Sequence, residues 1–251
     1  MKSFMKILLL ILLPAFSIAQ QNAYWEEYTK EQIDSLRVVL QHTTNDTLRM
    51  AIARSFGFYY MEIKGDSALY FLDQQLKLAK QLKLKLWEAD ALDNIGFVLF
   101  RLTNYPRSLQ AFIEGLKIAE DEESEKNIWR ISIFSKEGNP RNARLTVLAF
   151  LHQDIGTLYG NTGNFEKQVS NCIEALKIAE SVNDQSLLSV VNMNLGMAYM
   201  NLNKLDSALA FEQKALDYSN TSGFQINKGL ILFRIGKTIF FRSNSGKSAT
   251  I

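Results

Sequence analysis

The chain has 251 residues, 28 basic and 26 acidic, for a formal net charge of +2, and 47% of its residues are hydrophobic. Such a chain is long enough to bury a substantial core, and it lacks the dense basic footprint of a nucleic-acid binder. One cysteine, Cys172, excludes an internal disulfide, and only three prolines agree with a nearly all-helical chain. The N-terminus reads as a secretory signal over residues 1–19. Lys2 and Lys6 make a basic start, Ile7 to Leu13 is an unbroken apolar run, and Pro14 and Ser17-Ile18-Ala19 lead to cleavage before Gln20. The apolar stretch falls short of the ~20 residues that a spanning helix needs. No cysteine stands beside the cleavage site to accept a lipid. The expectation is export to a periplasmic or secreted location, with no membrane insertion of the mature chain. Loss of Lys2 and Lys6 leaves equal numbers of acidic and basic side chains.

Residues 20–45 follow as a linker and capping helix, with Ile33, Leu36, Val39 and Leu40 at helical spacing between Glu26 and Gln41. A repeated pattern then covers residues 46–241. Gly96, Gly156, Gly196 and Gly236 each follow Ile or Leu inside an apolar segment of helical period, 60, 40 and 40 residues apart. Around each glycine a two-helix unit can be read. One first helix runs from Leu84 to Leu102, turns at Thr103-Asn104, and continues from Tyr105 through Leu109, Phe112, Leu116 and Ala119. The next unit has Ile155-Gly156, Tyr159, the turn Thr162-Gly163-Asn164, then Phe165, Val169, Ala175, Leu176 and Ala179. Another has Leu195-Gly196, Tyr199, the turn Asn203-Lys204, then Leu205, Ala208, Ala215 and Leu216. A glycine inside a helix costs ~1 kcal/mol against alanine, which is tolerable where a neighbouring helix approaches closely.

These residues resemble tetratricopeptide repeats, whose first helix carries L-G-x-x-Y and whose second carries small and aromatic residues. The resemblance covers about Asp46 to Phe241. It departs from the pattern in lacking an opening Trp and a closing Pro, and in a period of 40 rather than 34. In the first unit Gly57 stands one place out of register, while Tyr59 and the stretch from Gly65 to Ala79 fit. The resemblance implies an all-α, right-handed solenoid of about four and a half helical hairpins.

Two stretches break the pattern. An insertion at 121–140 opens on an acidic run from Glu120 to Glu125, which opposes the dipole of the preceding helix and marks an exit into solvent. It continues with Ile128-Trp129-Arg130-Ile131-Ser132-Ile133-Phe134, too short to assign to helix or strand, and turns at Gly138-Asn139-Pro140. Packing over the edge of the array is favoured over a binding arm. At the C-terminus a first helix over Gly223 to Phe241 is followed by a polar tail, 242–251. Leu230, Ile231, Phe233, Ile235, Ile239, Phe240 and Phe241 make that helix too apolar for a terminal cap.

No motif argues for catalysis. Ser245-Gly246-Lys247-Ser248 lacks the upstream glycine of a phosphate loop, since Phe241 stands there, and it follows a helix rather than a strand. His42 and His152 have no clustered partners at ligand spacing, so neither a metal nor another cofactor is expected. Asp90 and Asp93 read as a solvated carboxylate face, and Cys172 as a small buried hydrophobe. In the resembled family the inner face of the array is lined by first helices. Registered on the glycines, it takes in Ala53, Gly57, Tyr60 and Met61, then Asp90, Asp93, Phe97, Phe100 and Arg101. Phe150, Gln153, Thr157, Gly160 and Asn161 follow, and then Val190, Met193, Met197, Met200 and Asn201. The candidate partner-binding residues are Tyr60, Phe97, Phe100, Arg101, Met193, Met197 and Met200. Aromatics and Arg anchor interfaces, and Met adapts to varied apolar segments. Met193 and Met200 read equally as core.

The expected function is non-enzymatic: an exported scaffold that binds a peptide or protein segment in its concave groove, with no nucleic-acid partner. The alternative is the periplasmic sensor region of a histidine kinase or DNA-binding regulator, with a downstream signalling domain. The resemblance to such sensors rests on the signal segment, Ile33-Asp34-Ser35-Leu36, Asn45-Asp46-Thr47, Asp66-Ser67-Ala68-Leu69-Tyr70 and the 40-residue repeats.

Overall fold

A computed structural model describes residues 28–222 and 228–245. The expected signal segment 1–19 with its expected cleavage site, Glu26, Gly223 at the expected start of the last helix and residues 246–251 of the tail lie outside the described residues. Ten α-helices and two short 3-10 turns make up the described structure, and none of it is strand. The chain forms two compact units, Met1–Val147 and Leu148–Ile251.

In the first unit, α1 (Lys30–His42) opens on a reciprocal cap. The Thr29 hydroxyl accepts from the Gln32 N–H, and Gln32 Oε1 accepts from the Thr29 N–H at 2.8 Å. Ile33 and Val39 bury one face of α1 against Ile52 and Phe56 of α2 (Asp46–Met61), as the apolar spacing requires. The Asn45 side chain caps α2 by accepting from the Leu48 N–H at 3.0 Å. Two hairpins follow: α2 with α3 (Gly65–Leu82), and α4 (Lys85–Arg101) with α5 (Tyr105–Glu120). Helix α4 begins and ends one residue inside the expected Leu84–Leu102. Met61, Ala68, Leu72, Ile95, Val98, Leu99 and Ala111 form the core that joins the hairpins.

The insertion packs down rather than reaching out, and it is neither helix nor strand but two 3-10 turns, Glu122–Glu125 and Ile131–Ile133. Trp129 and Phe134 each lie 5.5 Å from Trp87, ring centroid to centroid, and Trp87 Nε1 donates to the Trp129 carbonyl at 2.8 Å. The acidic run does not simply exit into solvent. Ser124 is buried, Glu125 pairs with Arg144 at 2.8 Å, and Arg144 also donates to the Ala119 carbonyl at 3.1 Å. A cation therefore satisfies the carbonyl end of α5, where the sequence stacks acids.

Helix α6 (Pro140–Asn161) begins in the first unit and continues into the second. The second unit holds α6 from Leu148, α7 (Phe165–Val182), α8 (Gln185–Asn201), α9 (Leu205–Ser222) and α10 (Lys228–Ser245). Its core contains Ala149, Ala175, Ala179, Leu187, Leu188 and Val191, continued by Cys172, Leu195 and Ala198. Burial pushes the Cys172 thiol up to about 12, so it is a packing group, as its place on the apolar face implies. Among the described residues no helix is long and apolar enough to cross a membrane.

The period of 40 has a simple construction. First helices of 17 residues (α4, α8) and second helices of 18 (α3, α7) alternate. Residues 62–64, 102–104, 162–164 and 202–204 make the turn within each hairpin, and a two-residue link follows the second helix. Thr103, Gly163 and Asn203 take positive φ in the turns, and Lys83 and Asn183 do so at the links. These left-handed residues end each helix after a fixed length. Compared with a 34-residue repeat, each helix is nearly one turn longer.

The repeated glycine lets the two helices of a hairpin touch. A Cβ on Gly96 would lie 2.5 Å from the Phe112 ring, and one on Gly196 would lie 2.6 Å from Glu212 Cγ. At Gly156 the same Cβ would meet Cys172 Sγ at 3.2 Å. Gly57, one place out of register, does the same job, since its Cβ would lie 2.5 Å from Leu72 Cδ2. Thus Leu72, Phe112, Cys172 and Glu212 occupy one equivalent position on four second helices.

Candidate functional site

In the first unit the expected inner face of α2 and α4 is largely closed. Ala53, Gly57, Met61 and Asp90 are buried, so none of them presents an open surface. Asp90 is not a solvated carboxylate. Arg54 grips it with Nε to Oδ2 at 2.9 Å and Nη2 to Oδ1 at 3.2 Å, and Gln75 Nε2 donates to Oδ2 at 2.7 Å. The Arg54 guanidinium also lies 4.5 Å from the Phe58 ring centroid. A buried carboxylate needs such partners, because removing its water is costly. The sequence carried one overlooked signal: Arg54 sits between buried Ala53 and Phe56 on an apolar stripe, where a cation demands an anion.

The half-buried residues left on α4 are Asp93, Asn94, Phe97 and Phe100, with Arg101 exposed at its end. Phe97 and Phe100 lie 6.3 Å apart, and Phe100 is 5.9 Å from Tyr105 at the start of α5. Arg101 pairs with Glu62 at 2.5 Å, in an arrangement open to water at both side chains. Tyr60, near the end of α2, packs against the same core cluster as Phe97. It stacks on Phe71, with ring centroids 5.7 Å apart and planes 7° from parallel, and its hydroxyl accepts from Arg37 Nη2 at 3.2 Å. The structure thus brings Phe97, Phe100 and Arg101 together on one helix end, beside Tyr105, which sequence reasoning had placed only in the hairpin. Tyr60 is tied into the packing of α1, α2 and α3.

In the second unit the methionines divide. Met193 is buried against Ala215 and Ile231 and is a core residue, one of the two roles its spacing allowed. Met197 and Met200 are half-buried, and Met200 Sδ lies 3.8 Å from Thr238 Oγ1. Around them the first helices carry amides and hydroxyls. Asn201 donates to Gln168 Oε1 at 2.9 Å, and Thr157 and Asn161 bond back into their own helix. Burial raises the Asp154 carboxyl to about 7. His152 Nδ1 lies 3.3 Å from Asn171 Oδ1.

Beneath Gly196, burial also raises Glu212, while the Thr238 hydroxyl and Arg234 draw it back. Thr238 donates to Glu212 Oε1 at 3.0 Å. Among the described residues no group of three or more His, Cys, Asp or Glu side chains is placed to hold a metal. The surfaces so described can pack against apolar and amide-bearing segments.

A family model described as tetratricopeptide repeat matches residues 193–220, which run from the middle of α8 through most of α9. No curated protein matches the sequence at a significant level. Several solved structures share the fold. A Rap protein complexed with Competence and Sporulation Factor aligns with a TM-score of 0.66 and 14% identity, over 88% of this chain and 56% of that one. The apo form of RapI gives 0.57 and 15%, over 85% and 55%. A signal transduction ATPase with a tetratricopeptide repeat sensor, from Pyrococcus horikoshii, gives 0.59 and 17%, over 83% and 30%. The chain spans a little over half the length of the two Rap structures. At these identities the likeness is one of fold. The likeness, the matched repeat at residues 193–220 and the recurring glycine contact show that the chain has the fold of tetratricopeptide-repeat proteins.

Proposed function

We propose that this protein is an exported tetratricopeptide scaffold that binds a peptide or protein segment along the inner face of its first helices. The observation that carries the reading is the half-exposed run of Phe97, Phe100 and Tyr105, with Arg101 at its end. Elsewhere on the same helices of the first unit, Ala53, Gly57 and Met61 are buried and Asp90 is held by Arg54. Rigid aromatics beside an Arg are what a short apolar or mixed segment needs as an anchor. Met197 and Met200 offer a softer contact in the second unit. The Rap neighbour complexed with Competence and Sporulation Factor supports a binding role for hairpins of this kind. The basic start, apolar run and small-residue cleavage site of residues 1–19 support export.

The test is selection of peptides from a displayed library on the full chain, followed by the Phe97→Ala/Phe100→Ala variant. Selected peptides should bind that variant at least about tenfold more weakly, as expected for loss of anchor aromatics. Unchanged binding, with an unchanged melt, would remove the aromatic run from the site. Export is tested by N-terminal sequencing of the protein recovered outside the cytoplasm, which should begin at Gln20.

A further inference from the structure

Arg101 closes the aromatic run of α4. It follows Phe97 by four places, so the two share a stripe of the helix, and Phe100 stands beside it. Its guanidinium makes one contact, Nη1 to Glu62 Oε1, and its Nε and Nη2 donors meet no acceptor among the described residues. The buried arginines of the first unit are used differently. Arg54 gives Nε and Nη2 to Asp90, and Arg144 gives Nε to Glu125 and Nη1 to the Ala119 carbonyl. Arg101 thus presents a planar fork with one prong engaged, and 41% of its side chain and 56% of that of Glu62 are exposed. The surface beyond the pair is apolar. Ile63, next to Glu62, is 63% exposed, and Leu102, next to Arg101, is 45% exposed. Leu102 lies over the start of α3, since a Cβ on Gly65 would come 2.9 Å from its Cδ2. The ion pair therefore joins two apolar patches, the aromatic run on the inner side and Ile63 with Leu102 at the turns. Lys64 and Asp66, the next charges along the chain, are exposed, of opposite sign and in no ion pair among the described residues.

Resting on the inner-face reading above, we propose that the segment bound there carries an acidic side chain flanked by apolar ones, and that Arg101 takes its carboxylate on Nε and Nη2. A carboxylate matches that edge with two parallel hydrogen bonds, whereas a lone carbonyl uses one prong. The flanking apolar side chains then fall on the aromatic run and on Ile63 and Leu102, and by excluding water they strengthen the charge contact. Apolar surface on both sides of Arg101 calls for chain that continues past the acid, so the carboxylate comes from a side chain rather than from a terminus. A basic residue has no equal place. It would meet the open donors of Arg101, while Glu62 follows the buried Met61 rather than an open aromatic stripe. Glu62 holds the guanidinium at the end of the run and competes with the incoming acid for it.

The experiment takes peptides selected from the displayed library on the full chain, synthesised with both ends blocked and titrated by fluorescence anisotropy. They should carry Asp or Glu between apolar residues, and the Asn or Gln counterpart of each should bind the unmodified chain at least about fivefold more weakly. On Arg101→Gln the acid and its amide should bind alike. Glu62→Gln should tighten the acidic peptide about two- to fivefold and leave its amide unchanged, with the melt in place because an exposed pair adds little stability. Phe97→Ala/Phe100→Ala should weaken acid and amide by one factor, so loss of the anchor is read separately from loss of the charge contact. A preference for the acid that persists on Arg101→Gln would overturn the proposal. So would selected peptides carrying Lys or Arg that lose affinity on Glu62→Gln, or amide peptides with a free C-terminal carboxylate that bind as well as the blocked acidic ones. Peptides that need Phe97 and Phe100 but no acid would sink this inference and leave the inner-face reading standing; a library that yields no binder removes both.

Discussion

The Arg54–Asp90 pair offers a sharp test of how the first unit is built. Both side chains are buried, with 6% and 10% of their surface exposed, and Gln75 supplies a third contact to Asp90. Arg54→Ala would leave the Asp90 carboxylate in the interior with Gln75 alone and no counter-charge. Breaking a buried pair in this way costs about 3–5 kcal/mol, several times the worth of an exposed pair. For a chain of this size that is a fall in melting temperature of about 10 °C. Trp87 and Trp129 both lie in the first unit, so tryptophan emission during urea or thermal unfolding reports on the unit that carries the pair. The double variant Arg54→Met/Asp90→Asn removes both charges while keeping an oxygen for Gln75. It should recover most of the loss, because the single variant's penalty is mainly the stranded charge. A cost below about 1 kcal/mol for Arg54→Ala would mean that water reaches the pair. A double variant no more stable than the single one would mean that the guanidinium acts by filling space against Phe58.

Three further outcomes follow from the same contacts. Gly96→Ala drives a methyl into the Phe112 ring and should destabilise by about 1–3 kcal/mol, whereas Gly236→Ala meets open space and should gain about 1 kcal/mol. Shifts of the same sign in paired urea melts would refute the glycine argument. Trp129→Ala should cost about 2 kcal/mol by uncovering Trp87, with a blue-to-red change in Trp87 emission; an unshifted spectrum would mean the insertion does not cover that ring. Because burial raises Asp154 to about 7, its folded form holds a proton that the unfolded chain releases near the ordinary value of 3.8. Its contribution is therefore fully present below pH 4 and is lost as pH rises through 7. Asp154→Asn should flatten the decline in stability between pH 4 and 7, and an unchanged pH profile would contradict the placement.

The array was legible in the sequence because its determinants are local. The glycine, the three-residue turn and the small residues of the second helix recur within one hairpin, so spacing alone reveals them. Cys172 was placed correctly for the same reason. The contacts that went unread join residues far apart in the chain. Asp90 looks solvated until Arg54, 36 residues earlier, is brought beside it. Trp129 has no visible role until it meets Trp87, 42 residues earlier. Arg144 reaches back to the end of α5 across an acidic run that by itself points outward. Met193 and Met200 share a helical stripe, yet only the neighbouring Ala215 and Ile231 decide that Met193 is core. Periodicity shows which face of a helix is apolar; the neighbouring elements determine how much of that face stays open.

That distinction explains the one charged residue among the gap-filling positions. Leu72, Phe112 and Cys172 fill theirs with carbon or sulfur, and Glu212 fills its own with a methylene while sending a carboxylate onward. Such a residue would be intolerable there unless the next helix met it, because an isolated buried carboxylate costs far more than the packing returns. Helix α10 meets it with Thr238, and with Arg234 close enough to lower its proton affinity. Arg234 is in turn anchored on the Met193 carbonyl at 3.2 Å. The attachment of α10 is therefore written partly in polar contacts that α9 alone could not satisfy. The glycine of α10 is preserved on the side facing away from them. Specific hydrogen bonds from Thr238 and Arg234, together with the buried Ile231, therefore fix which face of α10 turns to its neighbours.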